Sequence, residues 1–331
     1  MLTEPRTILV TGASGHIGGL LARRLIEQGH HVRGLYRSGG PHIADLDMAH
    51  HCVDVRDAQA VSKAVAGADL VFHLAARISL AGGDYDRPLT ESINVGGTRN
   101  VVEACMAHGV RRLVHFSSSH ALNRPDDDPP LTEDTPLLGD DEGFPYDRSK
   151  AKGERLVREA MTKGLDAVVV APSGVIGPFD HGPSKTGAQI RALMRGSFAV
   201  IPSGGYDFVD VRDVVAAALA AAERGRTGHK YLLSGGYAPI QQVMAHVADA
   251  CGRGGRILTL PRWLLRLPAP AIEQVCRMFS LEPLASGMML DTLRGQIDMR
   301  SEKARAELGF TPRPLAETIA DTVAWFREQS A

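Results

Sequence analysis

A phenol and an ammonium stand four residues apart in Tyr146-Asp-Arg-Ser-Lys150. On a helix that spacing puts both on one face. A free tyrosine, with a pKa near ~10, is a poor proton donor or acceptor at neutral pH. A neighbouring positive charge favours the phenolate and lowers that pKa, which suits a group that passes one proton. Upstream lie three hydroxyls, Ser117-Ser118-Ser119. One of them can hold a substrate carbonyl or alcohol oxygen near the phenol; the other two read as caps. His120 follows and reads as an ordinary loop histidine rather than a pocket residue.

The tyrosine–lysine pair alone is a common pattern, and a second feature gives it weight. Residues 7–18 read Thr-Ile-Leu-Val-Thr-Gly-Ala-Ser-Gly-His-Ile-Gly. Gly12, Gly15 and Gly18 fall between an apolar strand and a helix. Backbone approaches a pyrophosphate closely only where Cβ atoms are absent, and a helix N-terminus offers its free N–H groups to the anion. The loop is therefore a dinucleotide cradle, contributed by Gly12, Ser14, Gly15, His16, Ile17 and Gly18. Chains that bind NAD usually carry an acid at the end of the second strand, for the ribose 2′-hydroxyl. Here that end reads Leu35-Tyr36-Arg37-Ser38, with no acid before Asp45. Arg37 offers a guanidinium to a 2′-phosphate instead. NADP(H) is the expected cofactor, with NAD(H) possible. Asp54-Val55 closes the third strand, where a carboxylate can meet the adenine amino group; Asp54 or Asp57 reads equally well as a helix N-cap.

The elements that must position these groups follow from periodicity. Strands are expected at Thr7–Val10, His31–Tyr36, Cys52–Val55, Leu70–Leu74, Arg112–Phe116 and Ala167–Ala171. Helices are expected over Gly15–Gln28, Thr90–His108 and Pro145–Lys163. This alternation predicts an α/β fold, a Rossmann doubly wound parallel sheet with a smaller, mostly helical C-terminal substrate lobe. Residues 1–172 plus about 206–236 form the NADP-binding domain, and about 173–205 plus 237–331 the lobe. The loop over 121–144 is long enough to read as a lid.

Composition excludes several classes. A net charge of −1 over 331 residues leaves no basic surface for nucleic acid. No apolar stretch approaches the ~18 residues that would span a membrane. The four cysteines form no CxxC, which fits a reduced cytoplasmic protein with no structural metal. The first residues pass straight into a strand, leaving no room for a signal peptide.

Together these residues resemble the extended short-chain dehydrogenase/reductase family, along nearly the whole chain. Thr11–Gly18 is similar to its glycine loop, His73-Leu74-Ala75-Ala76 to its fourth-strand motif, and Asn94-Val95-Gly96-Gly97-Thr98 to its long-helix motif. Ala171-Pro172-Ser173-Gly174-Val175-Ile176-Gly177-Pro178 resembles the segment that passes the nicotinamide. Phe208–Val214 and Ala306–Pro312 resemble later signatures. The resemblance implies Ser119, Tyr146 and Lys150 as the catalytic set. It adds Leu74, Ala75, Ala76, Asn94, Ser117, Pro172, Gly174 and Val175 to Tyr146 and Lys150 as cofactor contacts. It implies a homodimer built on a four-helix bundle. The nearest branch is the dihydroflavonol-reductase-like one, whose 2′-phosphate arginine Arg37 resembles. Ser173-Gly174, where sugar-nucleotide members often carry Asn, and His120-Ala121, where dehydratases carry acids, weaken a sugar-nucleotide reading.

The expected activity is interconversion of a ketone or aldehyde with an alcohol on a small-molecule substrate. A sugar-nucleotide epimerase with tightly held NAD is the alternative, and a non-catalytic dinucleotide sensor a weaker one. Ile78, Phe144, Ile176 and Phe179 suggest a partly apolar pocket, and Arg87, Lys185 and Arg191 could meet an anion.

Overall fold

The computed structural model describes residues 4–78, 87–124, 130–182, 184–195, 199–252, 257–266, 290, 293 and 298–329. The chain opens with β1 (Thr7–Thr11), α1 (His16–Glu27), β2 (His31–Tyr36), α2 (Pro41–Ala44), β3 (Ala49–Cys52), α3 (Ala58–Val65) and β4 (Leu70–His73). It continues with α4 (Arg87–Glu91), a π-helical turn (Ser92–Gly96), α5 (Gly97–Ala107), β5 (Arg112–Phe116), α6 (Pro145–Thr162) and β6 (Ala167–Pro172). Then come β7 (Gly174–Ile176), α7 (Lys185–Met194), β8 (Ala199–Pro202), β9 (Gly205–Asp210), α8 (Val211–Arg224), β10 (Lys230–Leu233) and β11 (Tyr237–Pro239). The last described elements are α9 (Ile240–Cys251), β12 (Ile257–Leu260), α10 (Arg262–Arg266), α11 (Glu302–Leu308) and α12 (Leu315–Glu328).

Seven strands form one parallel sheet in the order β10-β6-β5-β4-β1-β2-β3. The chain winds outward in one direction through β1, β2 and β3, then returns to β4 on the other side of β1. Strand order therefore reverses between β1 and β4, where ligands of open α/β sheets bind. The central strands read as buried on both faces: Ala167–Pro172 is buried throughout, the pattern of a strand covered by helices on each side. Separate apolar clusters fill the two faces. A third cluster, with Ile176, Phe208, Val247, Ile319 and Trp325, lies away from the sheet among the elements of the C-terminal part.

Two expected elements differ. The third strand was expected at Cys52–Val55 but runs Ala49–Cys52. It is an edge strand whose Ala-His-His-Cys carries no apolar run, and its register on Arg33–Tyr36 fixes it. The helix expected over 90–108 is interrupted by the π-turn. Asn94 sits in that turn with its side-chain amide drawn to Arg77 and Ser149, the kind of place where a widened turn serves a side chain.

Candidate active site

A cavity of about 550 Å³ lies at the carboxyl edge of the sheet, at the switch point. One end is made of backbone. Gly12 follows β1 with φ +73°, and its N–H donates to Leu35 O at 2.7 Å. A Cβ on it would stand 2.9 Å from Ala75 N. A Cβ on Gly18 would stand 2.2 Å from Gly12 O, so α1 can lie this close to the loop only without one. Gly15 is the N-cap of α1 and offers no side-chain cap, leaving the first N–H groups of the helix free for an anion. Gly12, Ser14, Gly15, His16, Ile17 and Gly18 all line the cavity.

Beneath the loop, the hydroxyl of Thr11 accepts from Leu74 N and Ala75 N at 3.1 Å each. His73 is wedged between Thr11 and Thr98, at 2.8 and 2.9 Å. Burial holds its imidazole down to about 3, with the Lys150 charge adding to that. It is a neutral strut, and Leu74, Ala75 and Ala76 beyond it line the cavity.

At the far side of the cradle end, Arg37 is exposed just past β2 and lines the cavity with Tyr36 and Ser38. Val55 and Asp54 line it too. Asp54 is held by Arg56 through paired contacts of 3.0 and 2.7 Å, and that hydrogen bonding keeps its carboxyl near about 2. Its expected role toward adenine thus meets a carboxylate already committed to a guanidinium. The N-cap of α3 is Asp57, which accepts from Ala60 N.

The other end is made of side chains. α6 begins at Pro145, which suits a first helical turn, and presents Tyr146 and Lys150 to the cavity as the spacing predicted. Ser118 lines the cavity and Ser119 does not; the Ser118 hydroxyl favours the charged form of Tyr146 and the Ser119 hydroxyl that of Tyr206. Ser118 N-caps a single helical turn over Ser119–Ala121, and that turn points the two hydroxyls to different phenols. Ser117 lines the cavity, and its hydroxyl donates to the buried Glu154 at 2.6 Å. Glu154 is fully buried and also meets Lys230 and Arg158, each at 2.8 Å.

The electrostatics depart from expectation. Burial pushes the Tyr146 phenol up to about 12, partly offset by Ser118. The Lys150 ammonium donates to Phe116 O at 2.5 Å. Burial lowers Lys150 itself to about 8, with Glu154 one helical turn away opposing the shift.

Asn94 is corrected as a cofactor contact. Its amide clamps Arg77 through both N–H and C=O, at 2.7 and 3.0 Å, and donates to Ser149 at 2.8 Å. Ser149 in turn donates to Tyr146 O, so Asn94 braces the catalytic helix from behind. Pro172, Gly174 and Val175 line the cavity. Of the apolar candidates, Ile78 does so; Phe144 precedes α6, Ile176 is in the third cluster, and Phe179 packs on Trp325. Arg87 pairs with Glu91 and Arg191 lies over Phe326; the Lys185 side chain is outside the described residues.

Three groups at this end of the cavity escaped the sequence reading. His120 lines the cavity, and its Nε2 lies 2.7 Å from the Tyr206 hydroxyl. Its Nδ1 is 3.0 Å from the Asp147 carboxylate. A histidine directly after the serines and a tyrosine in Tyr206-Asp207-Phe208 were the available signals. Among the described residues there is no metal-binding cluster and no helix long and apolar enough to cross a membrane. Of the expected lid, 125–129 lies outside the described residues; Leu131 and Leu138 are buried and Leu122 bridges to Leu137.

Residues 8–234 match the NAD dependent epimerase/dehydratase family. Sterol demethylase protein B of Methylococcus capsulatus is 33% identical, over 98% of this chain and 99% of its own. A Synechocystis protein named as a candidate dihydroflavonol 4-reductase is 31% identical, over 96% and 94%. The crystal structure titled gox2253 superposes with a TM-score of 0.83 at 32% identity, covering 98% of each chain.

Proposed function

Because this chain belongs to the NAD-dependent epimerase/dehydratase family, we propose that it is an NADP(H)-dependent oxidoreductase interconverting a carbonyl and an alcohol, with Ser118, Tyr146 and Lys150 as its catalytic set. One observation carries this reading: Ser118, Tyr146 and a buried Lys150 together at one end of a cavity whose other end is a glycine cradle. The cradle fits a dinucleotide, since the cavity wall there has no Cβ on Gly12, Gly15 or Gly18 and α1 offers uncapped N–H groups. Arg37, exposed where an NAD reader would carry an acid, supports the 2′-phosphate form. When bound, the nicotinamide supplies or takes the hydride.

The protein's own part is the proton. Tyr146, pushed up to about 12, holds its proton at neutral pH and is poised to give it to a carbonyl oxygen. Ser118 orients that oxygen beside the phenol. Lys150 keeps a positive charge below its pKa of about 8 and would hold the nicotinamide ribose. Glu154 and Asn94 fix the helix that carries both residues.

Tyr146→Phe is expected to cut turnover by at least ~10³-fold while leaving NADPH affinity within about twofold, because proton transfer is lost and the cradle is untouched. Turnover retained in this variant sinks the mechanism. Protein purified with NAD already bound, and active without added cofactor, would favour the epimerase instead.

A further inference from the structure

Three residues at this end have no part in the proton step above: His120 and Tyr206 line the cavity, and Asp147 lies against His120. Asp147 follows Tyr146 on α6, His120 follows the serines, and Tyr206 lies on β9. Asp147 Oδ1 is 3.0 Å from His120 Nδ1, off the line of a hydrogen bond, and is otherwise buried without a donor. His120 Nε2 is 2.7 Å from the Tyr206 hydroxyl. The imidazole sits between two phenols, its ring 5.9 Å from that of Tyr146 and 5.8 Å from that of Tyr206. The Tyr206 ring closes over Gly174, where a Cβ would stand 2.7 Å from it. Gly174 and Tyr206 line the same cavity as Tyr146 and Ser118.

Proton positions follow from chemistry. A carboxylate beside Nδ1 favours the proton there, which leaves Nε2 as an acceptor. Tyr206 then donates its only proton to Nε2. Ser119, whose hydroxyl favours the charged form of this phenol, is placed to donate to its oxygen. A phenolic oxygen has two lone pairs, so one remains. Burial keeps the phenol protonated. The two ends of the dyad therefore present opposite faces to a substrate. Tyr146 offers a proton, and Tyr206 offers a lone pair.

Resting on the oxidoreductase reading, we propose that Tyr206 is a substrate-binding residue that accepts a hydrogen bond from a hydroxyl near the reacting carbonyl, with Asp147 and His120 as positioning residues that aim its lone pair. The substrate class is a hydroxylated ketone or aldehyde rather than a plain one. A site built to bond a hydroxyl discriminates strongly against the analogue lacking it, because its polar group is then left unpaired.

The test compares cyclohexanone with 2-hydroxy- and 3-hydroxycyclohexanone, using NADPH, in the wild type and in Tyr206→Phe. In the wild type, at least one hydroxyketone is expected to exceed cyclohexanone tenfold or more in kcat/KM, on the order of one buried hydrogen bond. In Tyr206→Phe that ratio falls to within about twofold, with NADPH affinity unchanged. Asp147→Asn, which no longer fixes the tautomer, lowers the same ratio without touching NADPH affinity. Titrating the three ketones by NMR into NADP-saturated protein reads recognition without turnover. Hydroxyl preference in binding with no turnover leaves this proposal standing and overturns the reductase reading alone. No hydroxyl preference in binding, or a ratio unchanged in Tyr206→Phe, overturns the proposal.

Discussion

The two ends of the cavity are built on different principles. The cradle end is backbone: three glycines in seven residues, a strand that stops and a helix that starts. Its shape depends on atoms that are missing, and local spacing is enough to specify it. The other end is side chain: Ser118 after β5, Tyr146 and Lys150 on α6, Tyr206 on β9. Those groups meet only because the sheet brings β5, α6 and β9 to one edge. A backbone site fails when something is added, and a side-chain site when something is taken away. The experiments that follow exploit that asymmetry.

The largest effect is expected from adding three carbons at the cradle. Gly18→Val places its Cβ 2.2 Å from the Gly12 carbonyl, a contact only a backbone shift can relieve. NADPH binding should fall more than ~100-fold, and the melting temperature should drop with it, since overpacking costs at least ~1–3 kcal/mol. Calorimetric titration and a thermal melt read both. Wild-type affinity in Gly18→Val would show that α1 does not rest on the loop as described.

At the other end, removing one oxygen should matter only at the right serine. Ser118→Ala is expected to lower kcat by ~10²-fold, in the range for loss of one donor at a reacting oxygen. Ser119→Ala, whose hydroxyl meets Tyr206, should lower it by about tenfold or less. The reverse ranking would return the catalytic role to Ser119.

The two ends also respond to pH with the same sign but in separate windows. His73, under the cradle, titrates at about 3 in the fold against an ordinary value of 6.5. Below 6.5 the unfolded chain takes up a proton that the folded one refuses, so stability is lost as pH falls from about 6.5 toward 3. Lys150 titrates at about 8 against 10.5. Between those values the unfolded chain holds the extra proton, so stability rises with pH from about 8 to 10.5. Each window is worth a few kcal/mol at ~1.4 kcal/mol per unit. Urea unfolding across pH should show His73→Gln flattening the acid slope and Lys150→Met flattening the alkaline one. An unaltered slope in either variant refutes the burial that underlies it.

How much was legible follows the same division. The doubly wound sheet and the strands at His31–Tyr36 and Arg112–Phe116 were readable from apolar runs because buried parallel strands leave no other pattern. β3 was misplaced because an edge strand needs no apolar run. The glycine loop and the Tyr146–Lys150 face were visible because each is set within one turn or loop. That Ser118 rather than Ser119 lines the cavity was not legible, because the helical turn at Ser119–Ala121 decides which hydroxyl faces it. Asn94 was assigned to the cofactor, yet the fold spends its polar atoms on Arg77 and Ser149. His120, Asp147 and Tyr206 could not be joined from spacing at all, since Tyr206 is 86 positions from His120.

Arg37 tests whether the cradle end reads charge as well as shape. Its guanidinium is exposed at the cavity rim, and among the described residues it makes no ion pair that would compete for it. The only acid lining the cavity there, Asp54, is held by Arg56. A 2′-phosphate would thus meet a free guanidinium and no free carboxylate, and a 2′-hydroxyl would find no acid to receive it. Arg37→Gln keeps a hydrogen-bond donor and removes the charge. NADPH affinity should weaken by about ten- to a hundredfold, the worth of one charge-assisted contact, with NADH affinity unchanged. Weakening both cofactors equally would mean that Arg37 shapes the rim rather than reads the phosphate. Weakening neither would leave the cradle indifferent to the second phosphate and return the preference to NAD.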